Sequence, residues 1–370
     1  MSGLLLEHPA PDFDEFLSVM RGDKKPGRVP IVEIGIDSEI LKTIQESYLD
    51  EPWALPDGVG GPASPDKHYY QQLINLYYRL GYDFVPLWPL WVNLPSGRIR
   101  QAADTAGASR GFRDWVDESG ALIRSQEDFE RFPWDQIRAA PETLDMADDL
   151  VPEGMKITVS GNLFENIFES FLGYEGLFFL LHDNPKLVEG VFNRWGQIVY
   201  EYYRACVGCD VVGAIFHADD MGFKTGTMIS PADLRRLLFP WLAKYAALAH
   251  EHGKPFWIHS CGNLYRNTPS VMDDLIDMVK IDGFHSFQDV IMPVGEVKTR
   301  FGDRIALMGG VDMDKLATLP GSELRSYLRG ILDTCMPGGR FAFGSGNTIA
   351  NYVPLQNYAI LLEEAHAWKI

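Results

Sequence analysis

The segment Phe256-Trp257-Ile258-His259-Ser260-Cys261-Gly262-Asn263 is an apolar run that stops at an imidazole and a thiol two positions apart. Side chains alternate faces along a β-strand, so positions i and i+2 point the same way. His259 and Cys261 can therefore converge on one atom if the strand persists to the cysteine. Zinc takes nitrogen and sulfur donors together, at about 2.0–2.3 Å. Two donors do not close a metal site, and the segment also reads as a histidine and a small thiol buried at a strand end.

Other residues could supply the remaining chemistry. His217-Ala218-Asp219-Asp220 places an imidazole beside two adjacent carboxylates, whose mutual repulsion can raise one pKa and make it a proton donor. His217, Asp219 and Asp220 are thus the candidate catalytic residues, although either carboxylate could instead cap a helix or pair with Lys224. Glu165, just after Ser160-Gly161-Asn162, is a candidate third metal ligand and equally a first-turn acid favoured by a helix dipole. Trp88, Trp91, Asn162, His285 and Asn347 are candidate substrate-binding residues. The two tryptophans in Trp88-Pro89-Leu90-Trp91 would make a flat apolar wall for a planar substrate, core packing being the competing reading. Cys206-Val207-Gly208-Cys209 has redox or half-zinc spacing but closes a helix away from these residues, and it reads as structural, as does Cys335.

The elements that must position these groups alternate. Short β-branched runs at 28–35, 83–88, 156–161, 211–217, 255–259, 278–285, 304–309 and 340–344 are separated by helical patterns that include 67–80, 231–252 and 321–335. Eight βα units predict a (β/α)8 TIM barrel. Gly35-Ile36-Asp37-Ser38 after the first run is not the G-x-G-x-x-G turn of a dinucleotide fold. Segments 97–101 and 114–123 read as antiparallel strands of a hairpin insertion after the second strand, around 92–125, on one barrel domain spanning 1–370. In such barrels chemistry sits at the C-terminal strand ends. Every candidate named above falls at one of those ends, as do Asp312 and Ser345.

Composition bounds the rest. A 46% hydrophobic and 23% charged chain is an ordinary globular one. The net charge of −18 and the lack of a Lys/Arg-rich run argue against nucleic acid as a partner. The first residues form no signal peptide and no apolar run reaches about 20 residues, so a cytoplasmic protein with no membrane partner is expected. Four cysteines in 370 residues are too few for a disulfide scaffold.

Taken in order, Asp219-Asp220-Met221-Gly222, Ile229-Ser230-Pro231, Phe239-Pro240-Trp241, His250-Glu251-His252-Gly253-Lys254-Pro255 and His259-Ser260-Cys261-Gly262-Asn263 resemble the uroporphyrinogen decarboxylase superfamily, and its corrinoid-dependent methyltransferase branch most closely. Arg28-Val29-Pro30, Leu80-Gly81-Tyr82-Asp83, Gly309-Gly310-Val311-Asp312 and Gly344-Ser345-Gly346-Asn347 fall in the expected order, so the resemblance runs from about residue 10 onward. It implies a (β/α)8 barrel. The decarboxylases' arginine-rich R-Q-A-G-R-Y motif corresponds here to Glu33-Ile34-Gly35-Ile36-Asp37-Ser38-Glu39, and their late histidine to Asn347. Both departures point away from tetrapyrrole decarboxylation.

In the methyltransferase branch the H-x-C unit, here His259 and Cys261, supplies zinc ligands, and a separate corrinoid protein carries the methyl group. Thiol-methylating members have a further cysteine near the end of the last strand, where this chain has Ser345-Gly346-Asn347. Glu165, His217 or Asp219 would replace it. The resemblance then implies an O-demethylase type of methyltransferase that moves methyl from a small, methoxylated aromatic donor to a corrinoid protein with zinc assistance. The alternatives are a uroporphyrinogen decarboxylase-like carboxy-lyase and a barrel that binds a corrinoid protein or small ligand without turnover. A homodimer is compatible with the sequence.

Overall fold

The computed structural model describes residues 4–54, 66–87, 91–92, 99–109, 111–117, 120–139 and 142–369. Seven parallel strands form one sheet in chain order: β1 (Phe84–Leu87), β2 (Lys156–Val159), β3 (Val212–Ala218), β4 (Phe256–His259), β5 (Gly283–His285), β6 (Ala306–Val311) and β7 (Phe341–Ser345). Each pairs only with its sequence neighbours in the sheet, and helices such as Pro185–Val207 and Gly321–Cys335 run between them. A sheet built only from sequential parallel crossovers curls one way. The result is a curled α/β half-barrel compatible with a TIM-like barrel.

Two expected strands differ. Segment 28–35 meets β7 through one isolated parallel bridge, Ile31 to Phe343, and a second bridge just beyond both joins Ile36 to Ile349. Pro30 lacks the N–H a continuous ladder needs, although its carbonyl accepts from Phe343 N at 2.8 Å. Segment 278–285 forms a strand only at Gly283–His285. A helix capped by Ser270 and Asp273 continues as a wide turn over Leu275–Val279 and ends at Lys280, φ 68°. The apolar pair Met278-Val279 belongs to that helical end rather than to the sheet.

Between β1 and β2, Trp91–Val92 pairs antiparallel with Arg138–Ala139, and Ile99–Ala103 pairs antiparallel with Phe112–Val116. Asn351, past β7, anchors the second pair through Asp104 (2.8 Å) and the Ala108 carbonyl. Among the described residues no helix is long and apolar enough to cross a membrane.

Strand alternation sorts the side chains into two cores. Phe84, Ala214, Phe216, Ala218, Trp257, Ala306, Met308 and Ala342 face the concave side, where Phe13, Phe16 and Met20 of helix Phe13–Arg21 close the N-terminal end. Trp257 lies at the centre, 5.9 Å from Phe16 and 5.6 Å from Phe216 between ring centroids. Val85, Ile215, Ile258 and Leu307 point outward against the helices. His259 therefore shares the concave face with Trp257, whereas His217, one residue from Phe216, points outward.

Candidate metal centre

At the C-terminal end of β4 the strand stops at His259, so Cys261 is not reached by continuing pleat. The two side chains converge nonetheless, Cys261 Sγ lying 3.6 Å from His259 Nε2. The loop after β3 holds them there. Cys261 N donates to Asp220 Oδ1 at 2.7 Å, and Asn263 N donates to the Phe223 carbonyl at 2.8 Å. Gly262 (φ +102°) packs so closely that an added Cβ would lie 2.2 Å from the Gly222 carbonyl carbon, leaving glycine as the fitting residue. Asp220 Oδ1 is 3.5 Å from His259 Nε2. One donor atom each from Asp220, His259 and Cys261 thus lie within 4.8 Å of one another.

The surrounding hydrogen bonds assign the protons. His285 Nε2 is 3.0 Å from the Ser345 carbonyl, an acceptor only, so this nitrogen carries the hydrogen. With burial and the neighbouring His259 holding His285 well below the usual imidazole pKa, its Nδ1 is a bare acceptor. His259 Nδ1, 2.7 Å away, must then donate to it. Burial also lowers the His259 pKa against the opposing pull of Asp220. The Nε2 lone pair of a neutral His259 is left facing Cys261 and Asp220, the tautomer of a metal ligand oriented from behind.

Cys261 receives two donors, Asn347 Nδ2 at 3.3 Å and Ser286 Oγ at 3.4 Å. Burial, then Asp220, pushes its thiol pKa up. A lone pair, a carboxylate and a sulfur ringed by donors together fit a divalent cation that accepts N, O and S. Ser286 and the Ser345 carbonyl are site groups that the sequence reading did not assign roles. Ser286 sits at φ +100°, a strained position for a non-glycine residue, which aims its hydroxyl at the sulfur.

Other candidates lie around this cluster. Glu165 is half-buried; burial, then Asp220 and Asp219, raises its pKa to about 9, so it is protonated at neutral pH. Asn162 Nδ2 donates to its Oε2 at 3.2 Å. Asp219 is fully buried and faces the backbone, accepting from Leu163 N (3.0 Å) and Glu165 N (3.1 Å) and pairing with His217 Nε2 at 2.7 Å. His217 Nδ1 meets Tyr203 OH at 2.8 Å, on the helix side of the sheet. The structure therefore brings Asp220, His259, Cys261, His285 and Asn347 into one network and sets His217 and Asp219 behind it as a buried pair holding the 162–165 loop. Trp88 and the side chain of Trp91 lie outside the described residues. Cys206 and Cys209 stand at the end of helix Pro185–Val207, before β3, unbridged.

The sequence profile of the uroporphyrinogen decarboxylase (URO-D) family matches residues 162–368, more than half of the chain and all of the cluster. The chain belongs to the uroporphyrinogen decarboxylase family. Among solved structures, this family member is similar to a methyltransferase from Methanosarcina mazei, with a TM-score of 0.65 at 17% identity over 95% of this chain and 97% of the other. Weaker likenesses include a sugar phosphate isomerase/epimerase from Parabacteroides distasonis (TM-score 0.40, 10% identity, 90% and 96% coverage). Another is a β-glycosidase from Thermosphaera aggregans (TM-score 0.41, 11% identity, 81% and 85% coverage). No curated protein sequence matches the chain.

Proposed function

We propose that this family member is a methyltransferase of the O-demethylase type, in which one closed (β/α)8 barrel domain with an insertion binds zinc through His259, Cys261 and Asp220. It moves methyl from a small methoxylated aromatic donor to a corrinoid protein. The observation that carries the reading is the convergence of three donor atoms within 4.8 Å around a His259 nitrogen left without a proton. Asp220 replaces Glu165 in the ligand set because one of its carboxylate oxygens lies within 4.8 Å of both other donor atoms. The Methanosarcina mazei methyltransferase, alike in fold along nearly the whole chain, supports the class of reaction.

Zinc bound there would supply Lewis acidity to the donor's ether oxygen. The protein's own groups do the rest. Phenoxide and alkoxide leave poorly without a proton, and Glu165, whose pKa burial above all raises, would hold one beside the cluster. As the methyl–oxygen bond breaks and the methyl carbon takes the electron pair of Co(I) on the partner, the departing oxygen takes the Glu165 proton. Asn162 holds that carboxyl in place. Asp219 and His217 fix the loop that carries both residues.

Metal analysis of protein purified without chelator tests the site. About one equivalent of zinc is expected in the wild type and under about a tenth in Cys261→Ser. Less than a tenth in both removes the metal. Methyl transfer from a panel of methoxylated aromatics to Co(I) cobalamin, followed by the Co(I) absorbance, tests the chemistry. Failure across the panel, with carboxylate loss from uroporphyrinogen instead, would replace methyl transfer by decarboxylation.

A further inference from the structure

The opposite, N-terminal end of the sheet carries a cavity of about 350 Å³. It lies between helix Phe13–Arg21 and the residues that lead into β4, β5, β6 and β7. Met20, Trp257 and other apolar side chains form one wall. The charged wall is unbalanced. Asp282 is already engaged by His250 Nε2 and Phe256 N, both at 2.8 Å. Arg304 is held by Asp273 and Asp277, and Lys254 by the Val207 and Cys209 carbonyls. The guanidinium groups of Arg21 and Arg340 meet no carboxylate among the described residues.

Arg340 is placed there by backbone geometry that a solvent-facing side chain does not need. It occupies the left-handed region at φ +53°, after Gly338 and Gly339, with its N–H donating to the Val19 carbonyl at 2.9 Å. Its guanidinium passes over Gly22 so closely that a Cβ at Gly22 would lie 2.7 Å from Nε. Lys298 donates to the Gly339 carbonyl, next in the chain to Arg340. Strained non-glycine backbone persists where the surroundings enforce it and collects at binding sites. In a chain of net charge −18, two unpaired guanidiniums at one cavity form a local reversal of sign.

We propose that this cavity binds a phosphate monoester with an apolar body. Two guanidinium forks can each make paired hydrogen bonds to a tetrahedral dianion, and the partly buried Leu17 offers an apolar surface for the body of the ester. The volume lies within the range of small-ligand pockets, about 300–1,000 Å³. The site is separate from the metal centre, since Lys254, Pro255, Asp282, Arg304 and Arg340 line it just before the strands begin, whereas His259 ends β4.

Isothermal titration of the full chain with phenyl phosphate tests the proposal. Saturable binding with a Kd below about 1 mM is expected, at least tenfold tighter than inorganic phosphate or benzoate. Arg21→Gln and Arg340→Gln should each weaken it by about tenfold or more, as expected for lost charge-assisted hydrogen bonds. Arg21 is exposed, so its variant reads out binding even if Arg340→Gln fails to fold. Cys261→Ser should leave binding unchanged. Absence of saturation by about 10 mM, binding indifferent to Arg21→Gln, equal affinity for benzoate, or loss of binding in Cys261→Ser would each overturn the assignment.

Discussion

Glu33→Gln converts a buried hydrogen-bond network into a measurable dependence of stability on pH. Glu33 is fully buried behind β7, where Oε1 accepts from Ser345 N at 2.9 Å and Oε2 meets Ser345 Oγ. Ser345 Oγ also faces the Asn347 carbonyl and has one hydrogen for the two acceptors, so a protonated Glu33 can donate to it while the hydroxyl donates to Asn347. Burial raises the pKa of this carboxyl from 4.5 to about 8, opposed by the two Ser345 hydrogen bonds, in a pocket that also holds Tyr77, Tyr82 and Tyr358. With the folded pKa above the unfolded one, folding takes up a proton between these values. The stabilisation is complete below pH 4.5 and is lost as pH rises to about 8. Each pH unit costs about 1.4 kcal/mol, so from pH 5 to pH 8 the wild type loses roughly 4 kcal/mol through this group. Glutamine donates to Ser345 Oγ and accepts from Ser345 N as the protonated acid does, at every pH. Its second N–H adds a constant cost of about 1–3 kcal/mol. Urea denaturation at four pH values should give curves that cross, with the wild type more stable at pH 5 and Glu33→Gln more stable at pH 8. Parallel curves would refute the assignment of the proton to Glu33.

Asp220→Asn keeps an acceptor for Cys261 N but removes a charge from the proposed ligand set, and a competition titration should show zinc affinity falling by at least about a hundredfold with the fold intact. His285→Leu removes the acceptor that fixes the His259 tautomer and should weaken zinc by about 10–100-fold, measured the same way. Glu165→Gln should leave zinc content unchanged while lowering methyl transfer by about 10²–10⁴, more for alkoxide than for acidic phenoxide leaving groups. Gly262→Ala drives a methyl group into the Gly222 backbone at φ +102° and should lower the unfolding midpoint by the equivalent of about 3 kcal/mol or more, seen by calorimetry.

The strand ends that carry the site were legible because short β-branched runs between helical patterns are a local signal, and β1 to β4, β6 and β7 form close to where the runs lie. Met278-Val279 misled because an apolar pair ending a capped helix looks like the start of a strand. His217 had a parity clue: with Phe216 and Ala218 facing the concave core, a histidine between them must face the helices. The choice between Asp219 and Asp220 had none, since both lie beyond β3, where the pleat no longer dictates direction. The bond between His259 and His285 needed the register that sets them side by side across β4 and β5. Ser286 was hidden for a similar reason, its aim coming from a positive φ that no residue type announces.

The replacement at the end of β7 follows a charge argument. Two thiolates and an imidazole, the set implied by resemblance for thiol-methylating relatives, would bring two negative charges to a divalent ion. In the proposed set Cys261, Asp220 and neutral His259 would bring the same two, so a carboxylate after β3 would make up for the cysteine missing after β7. Asn347 lies at that strand end and points Nδ2 at the Cys261 sulfur. A thiolate that accepts from both Asn347 and Ser286 gives less electron density to a metal, and a carboxylate oxygen gives less than a second sulfur. Both changes would leave a bound metal a stronger Lewis acid. That suits an oxygen leaving group, which needs polarising, better than a thiol substrate, which needs an electron-rich sulfur to attack. Ser345 ties the two halves together, its carbonyl orienting His285 and its hydroxyl meeting the Asn347 carbonyl. One buried carboxyl, Glu33, therefore braces both the imidazole and the thiolate sides of the proposed site.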